Sequence, residues 1–387
     1  LIRNKLAFSF TFILLALFFL LSGSTSIEKA QRMFIHSSFR PGEVATTKRV
    51  LIQFKDSIPD DTLTIYYAPI DQPVAFSRNI HTAVCSDTVC RLVNVTLFWE
   101  VTGKYMGYSI PNGEELTKKE HEPFLESDYQ RLNEILADSS SLLKFYALDE
   151  VGPVQKTVAK IDGITGATIP DLTPWIVPNA AYTSSTLWHI AYGATRDSIQ
   201  AYTRNHLLSI SMLNHLLRDG ESFHQPKAFQ WISESKINPN QFIEQALVVL
   251  RKGNYQVFGS ALNFLKGCAD KERLQLEVVK LLGHEDFRIK IQVVEFLRES
   301  EKFSRPVALA LLTYLQSENY YLVNTVLNLL DKRYQLDQND LLKISSLLRS
   351  KNKTIANRVY YFLLSRNANN QNLTSQLNEY SKLNINH

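Results

Sequence analysis

The chain has 387 residues, 45% of them apolar and 21% charged, with a formal net charge of +4. That length suits two or three domains with cores of their own, and so weak a charge gives no case for a nucleic-acid partner. Arg3 and Lys5 precede an apolar run from Leu6 to Leu21, and Ser22, Gly23, Ser24, Thr25 and Ser26 follow. A basic start, a short apolar core and a small-residue end are the pattern of a secretory signal. Residues 1–26 are therefore expected to be a leader, cleaved or kept as an anchor, on a chain exported to the periplasm or the outer face of the cytoplasmic membrane.

Next in order, VLIQFKD from Val50 and TLTIYYAPI from Thr62 are rich in β-branched and aromatic residues and predict strands within a β-rich segment, residues 27–80. Cys85 and Cys90 flank a Ser86-Asp87 turn signal, close enough for a small disulfide ring in an exported protein. A structural staple, a redox-active dithiol and two unpaired thiols all remain open. Cys268 falls on a helical pattern and reads as a small core residue. From Leu92 to Tyr108 the pattern predicts a hairpin turning at Thr102-Gly103-Lys104. In KKEHEPFLESDYQRLNEILAD, the Glu126-Ser127-Asp128 opening with Leu132, Ile135 and Leu136 predicts a short amphipathic helix. The strand-like VQKTVAKI comes next.

It leads into Asp162 to Thr168, DGITGAT, which ends in a hydroxyl on a Gly-Ala turn. Gly166 has no side chain and Ala167 only a methyl, so a phosphate donor could approach the Thr168 hydroxyl closely. Asp162 could cap the turn or help hold a metal beside phosphates. The string fits Asp-x-x-Ser/Thr-Gly-Ala-Thr, and on it the chain resembles the FMN-binding domain family, known from subunits of the sodium-pumping NADH:quinone reductase and related membrane electron-transfer complexes. The resemblance implies an α+β domain, placed at residues 81–200. It also implies FMN held covalently through a phosphoester to Thr168, with Asp162, Thr165, Gly166 and Ala167 completing the recognition turn. A separate flavin transferase would attach it, and a membrane electron-transfer complex would exchange electrons with it.

After the motif come Pro170, Pro174 and Pro178, a departure from relatives that enter a helix almost directly, and then a helix-like run from Ala181 to Tyr192. Trp175, Tyr182 and Trp188, with Phe98, Trp99 and Tyr105 upstream, are aromatic faces on which a flavin could stack, though aromatics at strand and helix spacing usually build the interior. His189 reads as structural.

The second half repeats. Segments beginning at Asn254, Asp286, Asn319 and Asn352 align at intervals of 32, 33 and 33 residues, and a second series from Gln241, Arg273, Pro306 and Asn339 interleaves with them. Each unit is thus two helices. LLSISMLNHLLRDG and KAFQWISE look like a worn first unit. The pattern resembles HEAT-like α-solenoids, placed at residues 201–366, with residues 367–387 as a cap or frayed tail.

The expected fold class is therefore multidomain: an α+β FMN-binding-like domain followed by an all-α HEAT-like solenoid. No triad, phosphate loop, zinc motif or carboxylate pair stands out, so an electron-transfer flavoprotein is favoured over an independent enzyme. The alternative is a non-redox periplasmic scaffold whose FMN-binding-like domain is empty.

Overall fold

A computed structural model describes residues 32–35, 39–54, 56, 58, 61–69, 71–84, 92–147, 150–151, 172–218, 222–366 and 370–384. The leader, Cys85, Cys90, the strand-like VQKTVAKI and the whole DGITGAT motif lie outside the described residues. The chain divides into two compact units between Leu207 and Leu208.

The first unit is built on a six-stranded antiparallel sheet: β1 (Arg32–Ile35), β2 (Thr46–Leu51), β3 (Thr62–Ala68), β4 (Gln72–Thr82), β5 (Val93–Glu100) and β6 (Tyr105–Ile110), in the order β1-β6-β5-β4-β3-β2. Strands β2 to β6 form a meander, and β1 closes the far edge beside β6. The boundary read at residues 80 and 81 falls inside β4, so the strands on either side of it share one sheet. The strand expected from Val50 is also displaced: β2 ends at Leu51, and the chain then turns inward, Ile52 donating to Asp61 O and the Phe54 amide to Asp61 Oδ1.

The hairpin joining β5 to β6 turns at Gly103, whose φ of +81° is open to glycine at little cost. Leu63, Ile65, Phe76, Ile80, Val95, Leu97 and Trp99 are all fully buried, at the alternating positions expected of one sheet face. Helices α1 (Glu126–Ala137), α2 (Ala181–Tyr192) and α3 (Ala194–Tyr202) bind the sheet through polar ties. The Trp99 indole donates to Ala191 O at 2.9 Å, the Tyr108 hydroxyl to Tyr129 O at 2.9 Å and the Tyr105 hydroxyl to Asn133 Oδ1 at 3.0 Å. A π-helical turn over Thr203–Leu207 follows α3, and its Thr203 hydroxyl donates to Val101 O, holding the hairpin turn.

The second unit is helical. Its elements are α4 (Ile210–Arg218), α5 (His224–Glu234), α6 (Ile243–Lys252), α7 (Tyr255–Lys266), α8 (Lys271–Lys280), α9 (Phe287–Arg298), α10 (Arg305–Thr313), α11 (Tyr320–Arg333), α12 (Gln338–Ser345), α13 (Lys353–Leu364) and α14 (Gln371–Asn384). The odd members α7, α9, α11 and α13 pack each on the next, as do α8, α10 and α12. Each odd helix begins on the same device: the side chains of Asn254, Asp286, Asn319 and Asn352 accept the amides of Gln256, Arg288, Leu322 and Thr354. Helices α8, α10 and α12 each tighten into a 3₁₀ turn that buries Leu282, Leu315, or Leu347 and Leu348. The stretch expected to be a cap or frayed tail forms α14, fixed by buried Leu373 and Tyr380, whose hydroxyl bonds Asn357 Oδ1 at 2.7 Å. Among the described residues no helix is long and apolar enough to cross a membrane.

Candidate functional site

The candidate acceptor Thr168 and its neighbours Asp162, Thr165, Gly166 and Ala167 lie in the undescribed stretch 152–171, so the site is approached from its flanks. On the N-terminal side Val151 is buried, and Tyr146 O is 3.2 Å from His189 Nε2 on α2. On the C-terminal side Leu172 is buried, and Pro174 O accepts from Arg131 on α1. Both flanks are held by α1 and α2.

Asp138, just past the end of α1, ties this shoulder together. Its backbone carbonyl accepts the Trp188 indole N–H at 2.9 Å, and its carboxylate accepts the Ser140 amide at 2.8 Å and hydroxyl at 2.6 Å. Burial works to raise the Asp138 pKa, but the Ser140 bonds, a bond from the Trp175 indole and the charge of Lys144 together hold it below the ordinary carboxylate value. Tyr192 donates to Leu136 O at 2.8 Å, and burial, reinforced by Asp138, pushes its phenol pKa up. The entry into α2 is fixed next: Ser184 Oγ accepts from the Val177 amide at 3.0 Å and donates to Ala180 O at 2.9 Å, while Asn179 O accepts from the Lys119 amide at 2.7 Å. At the start of α1, Lys118 Nζ stands 2.8 Å from Asp128 Oδ2, which raises the Lys118 pKa.

The aromatics divide. Phe98, Trp99, Tyr105 and Trp188 are buried, and three of them spend their polar atom on a bond inside the unit. Burial, then the neighbouring Tyr108, holds the Tyr105 phenol well above its ordinary pKa. Only Trp175 and Tyr182 of the six are half-exposed. His189 is a structural tie to Tyr146. Cys268 is buried in the second unit, where burial pushes its thiol pKa up. Sequence reasoning missed Asp138, Arg131 and Lys118. The Asp-Ser-Ser run after a helix was the one signal for the first, since Asx and Ser side chains bond nearby backbone amides.

Comparison of the chain with protein-family models, with curated proteins and with solved structures finds no match. No group of three His, Cys, Asp or Glu side chains among the described residues is placed to hold a metal. The chemistry available at the shoulder is anchoring: two chain ends fixed on two helices, with the polar atoms of Asp138 taken up by backbone, hydroxyl and indole donors.

Proposed function

We propose that the chain is an exported flavoprotein that carries FMN on Thr168 and relays electrons between a membrane oxidoreductase and an acceptor, while the helical unit, read as a HEAT-like solenoid, docks a protein partner. The motif DGITGAT carries this reading. One feature of the first unit supports it. The flanks of the motif-bearing stretch are tied to α1 and α2 by Arg131 and His189, which fixes the chain on either side of the hydroxyl that a transferase would have to reach.

In this reading Thr168 Oγ attacks the FMN-side phosphorus of FAD held by a transferase. The Oγ–P bond forms, the P–O bond to AMP breaks, and AMP leaves with the electron pair as the hydroxyl proton passes to a base. Gly166 and Ala167 keep the approach clear, and Asp162 orders the turn. The bound flavin then supplies one- or two-electron chemistry. Co-expression with a flavin transferase, followed by a denaturing gel, tests it: the wild-type band is expected to fluoresce and the Thr168→Val band to be dark. Equal darkness of both, with the transferase active on a control substrate, would leave the non-redox scaffold as the reading to pursue.

A further inference from the structure

Helices α7 and α9 leave a groove of about 520 Å³ between them, within the size range of binding clefts. Gly259 lies inside α7, where glycine is disfavoured relative to alanine, and a Cβ there would come within 3.1 Å of Gln292 Oε1 from α9. That oxygen is buried and has no hydrogen-bond partner among the described residues. Gln256, Ser260 and Asn263 recur at i, i+4 and i+7 of α7 and line the same groove. Each of these side chains can both donate and accept.

The lining is electrically quiet. Lys266 at one rim is bound to Glu299 at 2.7 Å, and Glu295 at the other to Arg298 at 2.7 Å, so no uncompensated charge selects an ion or a charged headgroup. From Gln256 to Asn263 the α7 stripe runs about 10 Å, at roughly 1.5 Å per helical residue. That matches about three residues of extended chain at ~3.3 Å each. Alternating N–H and C=O groups of an extended backbone need neighbours that donate and accept, and the amide and hydroxyl side chains here do both. Tyr255 and Ile291, exposed along the groove, offer seats for apolar side chains.

We propose that this groove holds a short, extended and uncharged segment of a partner polypeptide, its backbone paired by Ser260, Asn263 and Gln292. The Gln292 amide turns about its last torsion, which is broad in energy, to present either end. Gly259 leaves the room in which it turns. This deepens, and rests on, the reading of the helical unit as a partner-docking surface.

A phage-displayed library of random dodecapeptides, selected on the full chain, tests it. Enriched peptides are titrated against the wild type, Asn263→Ala, Gln292→Ala and Gly259→Ala, with Tyr361→Ala as an exposed control outside the groove. All three groove substitutions favour helix, so the melting temperature should hold. Asn263→Ala and Gln292→Ala are each expected to weaken binding by up to about tenfold, as loss of one hydrogen bond does, and Gly259→Ala to weaken it by blocking the turn of the Gln292 amide, while Tyr361→Ala leaves it unchanged. Peptides that bind the wild type and the groove variants equally would overturn the groove and leave the docking reading standing. No enriched peptide at all would overturn both.

Discussion

Arg78 Nη1 lies 2.6 Å from Asp56 Oδ2, and the same guanidinium stands 3.7 Å above the centre of the Phe54 ring. Arg78 sits in the middle of β4 with its side chain wholly buried, and it also donates to Thr195 on α3 at 2.7 Å. One side chain therefore joins the sheet, Asp56 and a helix. A buried charge is tolerated only while it is paired, and removing a carboxylate partner weakens its compensation. Asp56→Ala is expected to destabilise the first unit by about 3 kcal/mol, the low end for a buried pair because Asp56 is partly exposed. Urea unfolding followed by tryptophan fluorescence measures it, and a loss under about 0.5 kcal/mol would show that the pair behaves as a surface bridge.

Gly107 lets β1 approach β6. Its φ is +149°, and a Cβ there would collide with Phe34 O and Ile35 Cα. Gly107→Ala should therefore cost about 3 kcal/mol, by overpacking together with a backbone conformation that L residues avoid. Hydrogen exchange should show the amides of Arg32–Ile35 losing protection while β4 and β5 keep theirs.

The helical unit carries a pH-sensitive cap. Hydrogen bonds from Arg288, through its side chain first and its amide second, hold Asp286 at about 2, below the ordinary 3.8. A carboxylate depressed in the folded state contributes stability above its unfolded value and loses it as pH falls. Melting temperatures between pH 4 and pH 2 should fall further in the wild type than in Asp286→Asn, which keeps an N-cap acceptor but cannot titrate. Parallel curves would contradict the assignment.

The cysteines give a simple count. If Cys85 and Cys90 form a disulfide, alkylation in denaturant without reductant labels one thiol per chain, Cys268. Native protein should label none, because Cys268 is buried. Three labelled thiols in denaturant would exclude the disulfide.

What the sequence disclosed follows from how locally each feature is encoded. The run from Ala181 to Tyr192 is helical from end to end, the Gly103 hairpin lies where its turn residues stand, and the four repeat starts are N-caps, because caps and glycines act over three or four residues. Strand β4 was hidden: Pro73 and Arg78 break its alternation, and Arg78 is interior only because Asp56, 22 positions away, pairs with it. Helix α14 was obscured by Asn and Gln, and its placement depends on two buried residues, Leu373 and Tyr380. The candidate site rests on DGITGAT alone, whereas the shoulder that anchors its flanks joins residues as far apart as Leu136 and Tyr192, which no local pattern records.

The measurement that bears most directly on the central claim is the intact mass of the exported chain after co-expression with a flavin transferase. The account predicts an increment of one FMN less water on the wild type and none on Thr168→Val. An unmodified wild-type mass, with the transferase shown to load another protein in the same cells, would contradict it.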